Sequence, residues 1–258
     1  MHLHVLPSLM ASITCNDGSS FKEVCKGLRQ DELESVNITY SAKIDDESSW
    51  ECLCDALRRA TKLTSLTISN DGFGGYVSSN GVALPESLVC LNLAGSGVTL
   101  LEAILSVDLP NLQHFNLSSN TLQTSDMEEL ATFISRCPRL RTLMLANNDI
   151  GTKGIVKLTR TVPKSLRHVD LRGNFGNHQA YKHVCRWVEE TPTLSCVQLD
   201  SIRKQELHYR LEMNRVGRPC LQTHALPAPL WACVLQKASA SLMFTLLRER
   251  PDLVHQRV

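Results

Sequence analysis

Aromatic residues are scarce in this chain of 258 residues, at 5 % of the total. Leucine fills the place they leave, with 39 copies against 6 phenylalanines, 4 tyrosines and 3 tryptophans. An interior that is rich in leucine and poor in aromatic residues indicates one packing unit repeated many times.

Long apolar runs and an excess of charge of one sign are lacking too. No stretch approaches about 18 consecutive apolar residues, so we expect no transmembrane helix. Residues 1–11 carry no Lys or Arg and are interrupted by Pro7, which disfavours a signal peptide. The 27 basic residues nearly balance the 26 acidic ones, for a net charge of +1, which argues against a nucleic-acid binder and against a membrane-surface protein.

The ten cysteines are scattered and include no C-x-x-C pair. Cys52 and Cys54 fall in a predicted helix, where residues two apart do not share a face, so they predict no metal site. Cys137 and Cys185 lie inside apolar patterns, which is typical of buried, reduced thiols. Because a chain of this length needs no disulfides to build a core, we expect a cytoplasmic or nuclear protein without a metal or other cofactor.

The pattern L-x-x-L-x-L recurs along the chain, and successive copies begin 24 to 30 residues apart. We number the first residue of each copy position 1, so that the other two apolar residues occupy positions 4 and 6. Side chains alternate along a strand, so positions 4 and 6 point to the same side of a short strand. The copies are Leu33-Val36-Ile38, Leu63-Leu66-Ile68, Leu88-Leu91-Leu93, Leu112-Phe115-Leu117, Leu140-Leu143-Leu145, Leu166-Val169-Leu171 and Leu194-Val197-Leu199.

An asparagine stands three residues past position 6 in three copies, as Asn120, Asn148 and Asn174, with Ser96 and Asp71 in two others. A short amide at a buried bend can satisfy backbone groups that lose their partners where the chain leaves the strand. Helical patterns follow several strands. They predict helices over 50–60, 127–134, 152–161 and 178–190, the second opened by a capping box of Ser125 and Glu128.

Strand, asparagine bend and helix in this order resemble the leucine-rich repeat family, in its ribonuclease-inhibitor-like class. The copy from Leu140 to Pro163 carries the resemblance best, through Asn148-x-Ile150-Gly151-x-x-Gly154 and Leu158. The resemblance implies an α/β solenoid with a parallel β-sheet on the concave side and helices on the convex side. It covers residues 33–202 as about seven coils and is weakest at 70–87, where glycines replace the helical pattern.

Both ends of such a solenoid need caps, because the terminal coils would otherwise expose apolar core. We assign residues 1–32 to an N-terminal cap region and 203–258 to a C-terminal helical cap, with helices over 203–216, 230–238 and 241–249. The pattern Leu211-x-x-Asn214-Arg215-x-Gly217-Arg218 and its continuation resemble a segment found behind leucine-rich repeats in predicted proteins of diatoms and related algae. That resemblance implies no known activity. A cap in which Asn214 and Arg218 satisfy helix ends is favoured over a peptide-binding or dimerising element.

Positions 2, 3, 5 and 7 of each strand are expected on the concave face. The first strands offer small neutral side chains there, whereas Arg141, Arg167 and Arg172 can form one positive patch on neighbouring strands. Two interpretations stay open: the patch anchors an acidic protein partner, since arginine is a common hot-spot residue, or it is a solvated face with Asp170 as counter-charge. The candidate partner-binding residues are His114, Arg141, Met144, Arg167, His168, Asp170 and Arg172.

No pattern in the sequence predicts a catalytic residue. A G-x-S-x-G motif is lacking, and Gly72-Phe73-Gly74-Gly75 has neither the lysine nor the following helix of a phosphate loop. We therefore expect a non-enzymatic protein–protein interaction scaffold, a monomer that binds a protein partner and neither nucleic acid nor membrane. The partner is acidic if the arginines take part.

Two other functions remain open from the repeat class. Proteins resembling the Ran GTPase-activating protein use the same repeats, so a regulator of a small GTPase is the alternative. Those proteins carry a long acidic tail, whereas residues 203–258 here hold 9 basic and 4 acidic residues. A recognition piece of an immune-type sensor is the third interpretation, although no nucleotide-binding pattern precedes the repeats in this chain.

Overall fold

Eight short strands form one parallel sheet, in which the order of the strands follows the chain. Each strand therefore pairs with the next one in sequence, as the recurrent pattern predicts. The strands are β1 (Ser12–Cys15), β2 (Ser35–Thr39), β3 (Ser65–Ser69), β4 (Cys90–Asn92), β5 (His114–Asn116), β6 (Thr142–Met144), β7 (His168–Asp170) and β8 (Cys196–Gln198). The computed structural model describes residues 12–15, 18–39, 47–69, 84–97, 104–160, 163–174, 176, 178–200, 204–212 and 214–215.

A described helix follows every strand except β3 and β4, so the predicted α/β solenoid is confirmed. The described helices are α1 (Gly18–Arg29), α2 (Glu47–Leu57), α3 (Met127–Ser135), α4 (Gly151–Leu158), α5 (His178–Glu190) and α6 (Lys204–Glu212). Helix α5 has the predicted bounds. The helices predicted over 50–60 and 152–161 begin earlier and end earlier, at 47–57 and 151–158.

The predicted capping box before α3 is wrong. The helix begins at Met127, and the preceding Asp126 makes no side-chain cap hydrogen bond. Its carboxylate instead accepts the backbone N–H of Gln123 at 2.8 Å and the hydroxyl of Ser125 at 2.8 Å. Asp126 therefore closes the turn that leads into the helix, and this local turn takes the hydroxyl that the box would have used.

Region 1–32, which we assigned to a cap, contains a strand and a helix that are arranged like those of the repeats. Strand β1 pairs in parallel with β2, and α1 packs against α2. The seven predicted copies correspond to β2 to β8, and β1 adds an eighth strand in front of them. The helices predicted over 230–238 and 241–249, Arg218 and most of the segment 70–87 lie outside the described residues.

The apolar positions of the repeat form the core, as predicted. Leu140, Leu143 and Leu145, at positions 1, 4 and 6 of one copy, are each 0 % exposed. The rows of neighbouring coils stack because the strands pair in register, for example Leu143 beside Val169. Leu199 is only half-buried, since β8 is the last described strand of the sheet.

Asn148 lies at a buried bend and joins two coils, which confirms the prediction for this residue. Its Nδ2 donates to the carbonyl of Leu117 in the preceding coil at 3.0 Å and to that of Leu145 in its own coil at 2.9 Å. Its Oδ1 accepts the backbone N–H of Leu122 at 3.2 Å. Asn120 and Asn174 make the equivalent bonds in their own coils.

Position 8 of the repeat turns the chain out of the strand through a left-handed backbone. This conformation recurs at Gly95 (φ 65°), Ser119 (φ 58°), Asn147 (φ 56°) and Gly173 (φ 68°). Glycine and asparagine adopt it at low cost, whereas a serine there is held by its surroundings. The four coils therefore share one turn geometry in spite of three different residue types.

Candidate functional site

The concave face changes character along the sheet. The first strands place Ser65, Thr67 and Cys90 on it, all half-buried and uncharged, whereas the later strands bring the predicted candidates together. Of these, His114, Arg141, Arg167 and Arg172 are exposed, Met144 and His168 are half-buried, and Asp170 is buried.

Arg141 and Arg167, which we call the arginine pair, lie side by side where β6 and β7 begin. The backbone N–H of Arg167 donates to the carbonyl of Arg141 at 2.9 Å, and that of Arg141 donates to Gln113 at 2.8 Å. Neighbouring strands are about 4.8 Å apart, so the two side chains leave the sheet as neighbours. Neither guanidinium has a hydrogen bond or an ion pair with another described residue. The arginine pair is thus a double positive charge to which no described residue supplies a counter-charge.

Asp170 was predicted as an exposed partner-binding residue, and the structure corrects this. Its side chain is 1 % exposed, and both carboxylate oxygens bond Arg172. Oδ1 accepts the Arg172 backbone N–H at 3.0 Å, as Asn92 and Asn116 accept the N–H groups of Ala94 and Ser118. The Asp170 carboxylate thus forms part of the turn of the repeat, and it is buried too deeply to contact a partner.

Arg172 consequently differs from the arginine pair. Its Nη2 lies 2.7 Å from Asp170 Oδ2, and these hydrogen bonds raise the pKa of Arg172 above its ordinary value, with a further contribution from Asp200. Its guanidinium neutralises a buried carboxylate while its side chain stays 55 % exposed. The interpretation of Asp170 as a counter-charge therefore holds for Arg172 alone.

Two histidines border the arginine pair. His114 Nδ1 lies 3.1 Å from the hydroxyl of Thr142, and Thr142 pairs in register with His168 on the next strand. Imidazole and hydroxyl groups both offer hydrogen bonds to a polar ligand. The centre of this face consequently combines charged and neutral donors on three neighbouring strands.

A cleft opens between β8, the last described strand, and α6. Its volume is about 360 Å³, and it is lined by Arg172, Val197, Gln198, Leu199, Leu207, His208 and Leu211. The Oε1 atom of Gln198 is buried and has no hydrogen-bond partner within the described part of the chain. The sequence missed this cleft because Leu207 and Leu211 belong to α6, whose placement against β8 no strand periodicity predicts.

Asn214 bonds backbone carbonyls near the C-terminal end of the described residues. Its Nδ2 donates to the carbonyls of Val188 and Leu194, each at 2.8 Å, and so satisfies the end of α5 and the turn into β8. The predicted capping role of Asn214 is confirmed.

Burial makes the core thiols weak nucleophiles. It raises the pKa of Cys54 and of Cys137 to about 11, so both are protonated at neutral pH. Among the described residues no group of three His, Cys, Asp or Glu side chains is arranged to hold a metal ion. No helix within the same residues is long and apolar enough to cross a membrane.

Comparison with known proteins starts from the repeat itself. A family model described as "Leucine Rich repeat" matches residues 108–131 and 136–158. The chain is similar to a ribonuclease inhibitor of Sus scrofa, at 27 % identity over 229 residues, which cover 77 % of this chain and 50 % of the inhibitor. The chain thus spans about half the length of the curated relative it matches.

Two solved structures are similar in outline. The C-terminal domain of a Caenorhabditis elegans tropomodulin has a TM-score of 0.41 and 16 % identity, covering 78 % of this chain and 96 % of that domain. The actin-binding site 2 of leiomodin-1 has a TM-score of 0.39 and 12 % identity, covering 78 % and 93 %.

Proposed function

Because this chain is a leucine-rich-repeat protein with ribonuclease-inhibitor-like coils, and so a protein-binding scaffold, we propose that it binds an acidic protein partner on its concave face. We also propose that it does so without catalysis, as a monomer. The observation that carries this proposal is the exposed arginine pair, which has no carboxylate of its own in the described part of the chain.

The relative supports a protein as the ligand. A ribonuclease inhibitor acts, as its name states, on another protein, and the match to this chain runs through 77 % of its length. A regular sheet whose outward positions vary from strand to strand offers one long surface on a rigid frame, which suits a large partner better than a small molecule.

The charge distribution supports an acidic partner. The arginine pair, His114 and His168 cluster on β5 to β7, while β3 and β4 carry no charge at the equivalent positions. Charge complementarity of this kind speeds encounter and excludes partners of the wrong sign. We place the protein in the cytoplasm or nucleus, because seven described cysteines between Cys25 and Cys196 form no disulfide with one another.

The experiment reverses the arginine pair in the double variant R141E/R167E. Arg172 is left unchanged, because a glutamate there would face the buried Asp170 carboxylate. The matched control is K153E/R160E, which reverses two exposed charges at the outer helix α4 and its end. The partner is recovered with the wild-type chain, purified separately, and its affinity is measured by isothermal titration calorimetry.

We expect the concave variant to lose at least about a hundredfold in affinity, because attractive contacts become repulsive. The control should bind like the wild type, and both variants should unfold at the wild-type temperature, since exposed charges contribute little to stability. If the control loses binding while R141E/R167E keeps it, the binding surface lies on the helices and the proposal is wrong.

A further inference from the structure

The arginine pair places two positive charges next to each other, and isolated carboxylates on an acidic surface do not compensate both at one point. The two side chains leave strands that lie about 4.8 Å apart, and guanidinium groups side by side repel each other unless an anion lies between them. Their neighbours at positions 2 and 3 of the adjoining strands supply no negative charge, being Gln113, His114, Thr142, His168, Ser195 and Cys196. The best ligand therefore brings two negative charges to one point.

We propose that the arginine pair recognises a phosphorylated side chain in a peptide segment of the partner. A phosphate monoester carries a charge of about −1.5 to −2 at neutral pH and three acceptor oxygens. Two arginine forks can each donate two parallel hydrogen bonds to it. A single carboxylate brings only one negative charge, so it would leave the charge of the second arginine uncompensated.

The neutral donors around the arginine pair fit the same ligand. The Thr142 hydroxyl, 3.1 Å from His114 Nδ1, and the ring of His168 lie one position further along the strands. A phosphate bound between the arginines would meet these groups with its remaining oxygens. The inference rests on the proposed function, because it names the chemical group by which the partner on the concave face is held.

Other arginines show what a satisfied guanidinium looks like in this chain. Arg29 lies 3.0 Å from Asp55, Arg136 lies 2.7 Å from Asp108, and Arg139 bonds Asn111 at 2.8 Å. Arg160, at the end of α4, is exposed, and its guanidinium makes no hydrogen bond or ion pair with another described residue. It provides a matched control for a single unpaired charge.

The first test measures fluorescence anisotropy of the full chain with degenerate peptide pools. The pools are centred on phosphoserine, phosphothreonine or phosphotyrosine, and matched pools carry Ser, Thr, Tyr or Glu at the centre. At least one phosphorylated pool should bind about tenfold or more tighter than its unphosphorylated and Glu counterparts. Equal binding of the matched pools, including no binding of any, overturns the inference.

Variants assign the effect to the arginines. R141A and R167A should each lose about tenfold for the phosphorylated pool, R160A should lose nothing, and R141K/R167K should recover only part, because lysine cannot offer a bidentate fork. An equal loss in R160A contradicts the assignment. If a single-stranded RNA decamer displaces the phosphopeptides at an equal or lower concentration, the face reads nucleic-acid backbone and the inference is wrong.

The purified partner separates this inference from the proposed function. If phosphatase treatment of the partner abolishes binding, both stand. If the dephosphorylated partner still binds the wild type but not R141E/R167E, the proposed function stands and the phosphate inference fails. If the partner binds R141E/R167E as well as the wild type, the proposed function fails.

Discussion

The coils of β4 and β7 turn through the same backbone geometry but are joined to their neighbours very differently. Gly95 and Gly173 hold equivalent left-handed positions, at φ 65° and φ 68°. Among the described residues, a Cβ atom on Gly95 would meet nothing closer than the carbonyl of Ser119 at 4.0 Å, whereas one on Gly173 would lie 2.9 Å from Asn147 Cα.

The next residue repeats this contrast. Ser96 donates from its hydroxyl to Leu93 in its own coil at 2.7 Å, while Asn174 bonds both its own coil and the preceding one through Leu171 and Leu145. The same turn geometry thus occurs with a side chain that bonds only its own coil and with one that also bonds the preceding coil. The coils of β5, β6 and β7 each bond the preceding coil through an asparagine, so both coils that carry the arginine pair are held to their neighbours.

The largest effect is expected from alanine at the two glycines. G173A should cost about 2–4 kcal/mol, because left-handed strain and a clash with the Asn147 backbone add together. G95A should cost only about 1–2 kcal/mol, because strain acts there alone. Urea denaturation of both variants measures the difference, and equal losses would refute the packing contrast between the two coils.

Removing the bend side chains should give the next largest effect. N148A leaves the Leu122 N–H without its side-chain acceptor and removes one of the two amide donors from each of the Leu117 and Leu145 carbonyls, at a cost of about 1–3 kcal/mol. S96A removes the hydroxyl donor from the Leu93 carbonyl, which still accepts from Asn120, at a cost of about 1 kcal/mol or less. Calorimetric unfolding compares them, and an N148A protein as stable as the wild type would show that the amide does not join the coils.

The smallest effect concerns a charged link near the N-terminal end. Asp31 accepts the hydroxyl of Thr61 at 2.6 Å and the backbone N–H of Lys62 at 2.8 Å, and these hydrogen bonds lower the pKa of Asp31 from its ordinary 3.8. The folded state therefore favours the ionised form, so this contribution is present above pH 3.8 and is lost as the pH falls through the lowered pKa.

D31N should accordingly be less stable than the wild type near neutral pH, and the gap should close as the pH falls below 3.8. Asparagine accepts the left-handed backbone at position 31, φ 55°, so the substitution changes charge with little strain. N148A, which removes a neutral amide, should keep its deficit over the same range. A D31N deficit that does not change with pH would assign the loss to geometry instead of charge.

Sequence reasoning predicted most of the fold because the repeat encodes it locally. Positions 1, 4 and 6 and the asparagine bend each depend on contacts that recur in every coil, so one well-formed copy explains the others. The strand at Ser12–Cys15 was not predicted, since this segment has no leucine at the pattern positions. The capping box failed because Asp126 competes for the hydroxyl of Ser125.

The candidate site was harder to predict, since it depends on what each outward side chain meets. Arg167 and Asp170 follow the same strand rule, yet one is exposed and the other buried. Asn92 and Asn116 at the position equivalent to Asp170 could have indicated its turn-forming role. The cleft beside β8 could not be anticipated, because α6 belongs to no repeat.

The most direct test of binding on the concave face is hydroxyl-radical footprinting of the chain with its purified partner. Met144 and His168 lie on the concave face, and His178 and His183 provide the same imidazole chemistry on α5. We predict that the partner slows oxidation of Met144 and His168 and leaves His178 and His183 unchanged. Protection of His178 and His183 with unchanged oxidation of Met144 and His168 would contradict the concave-face account.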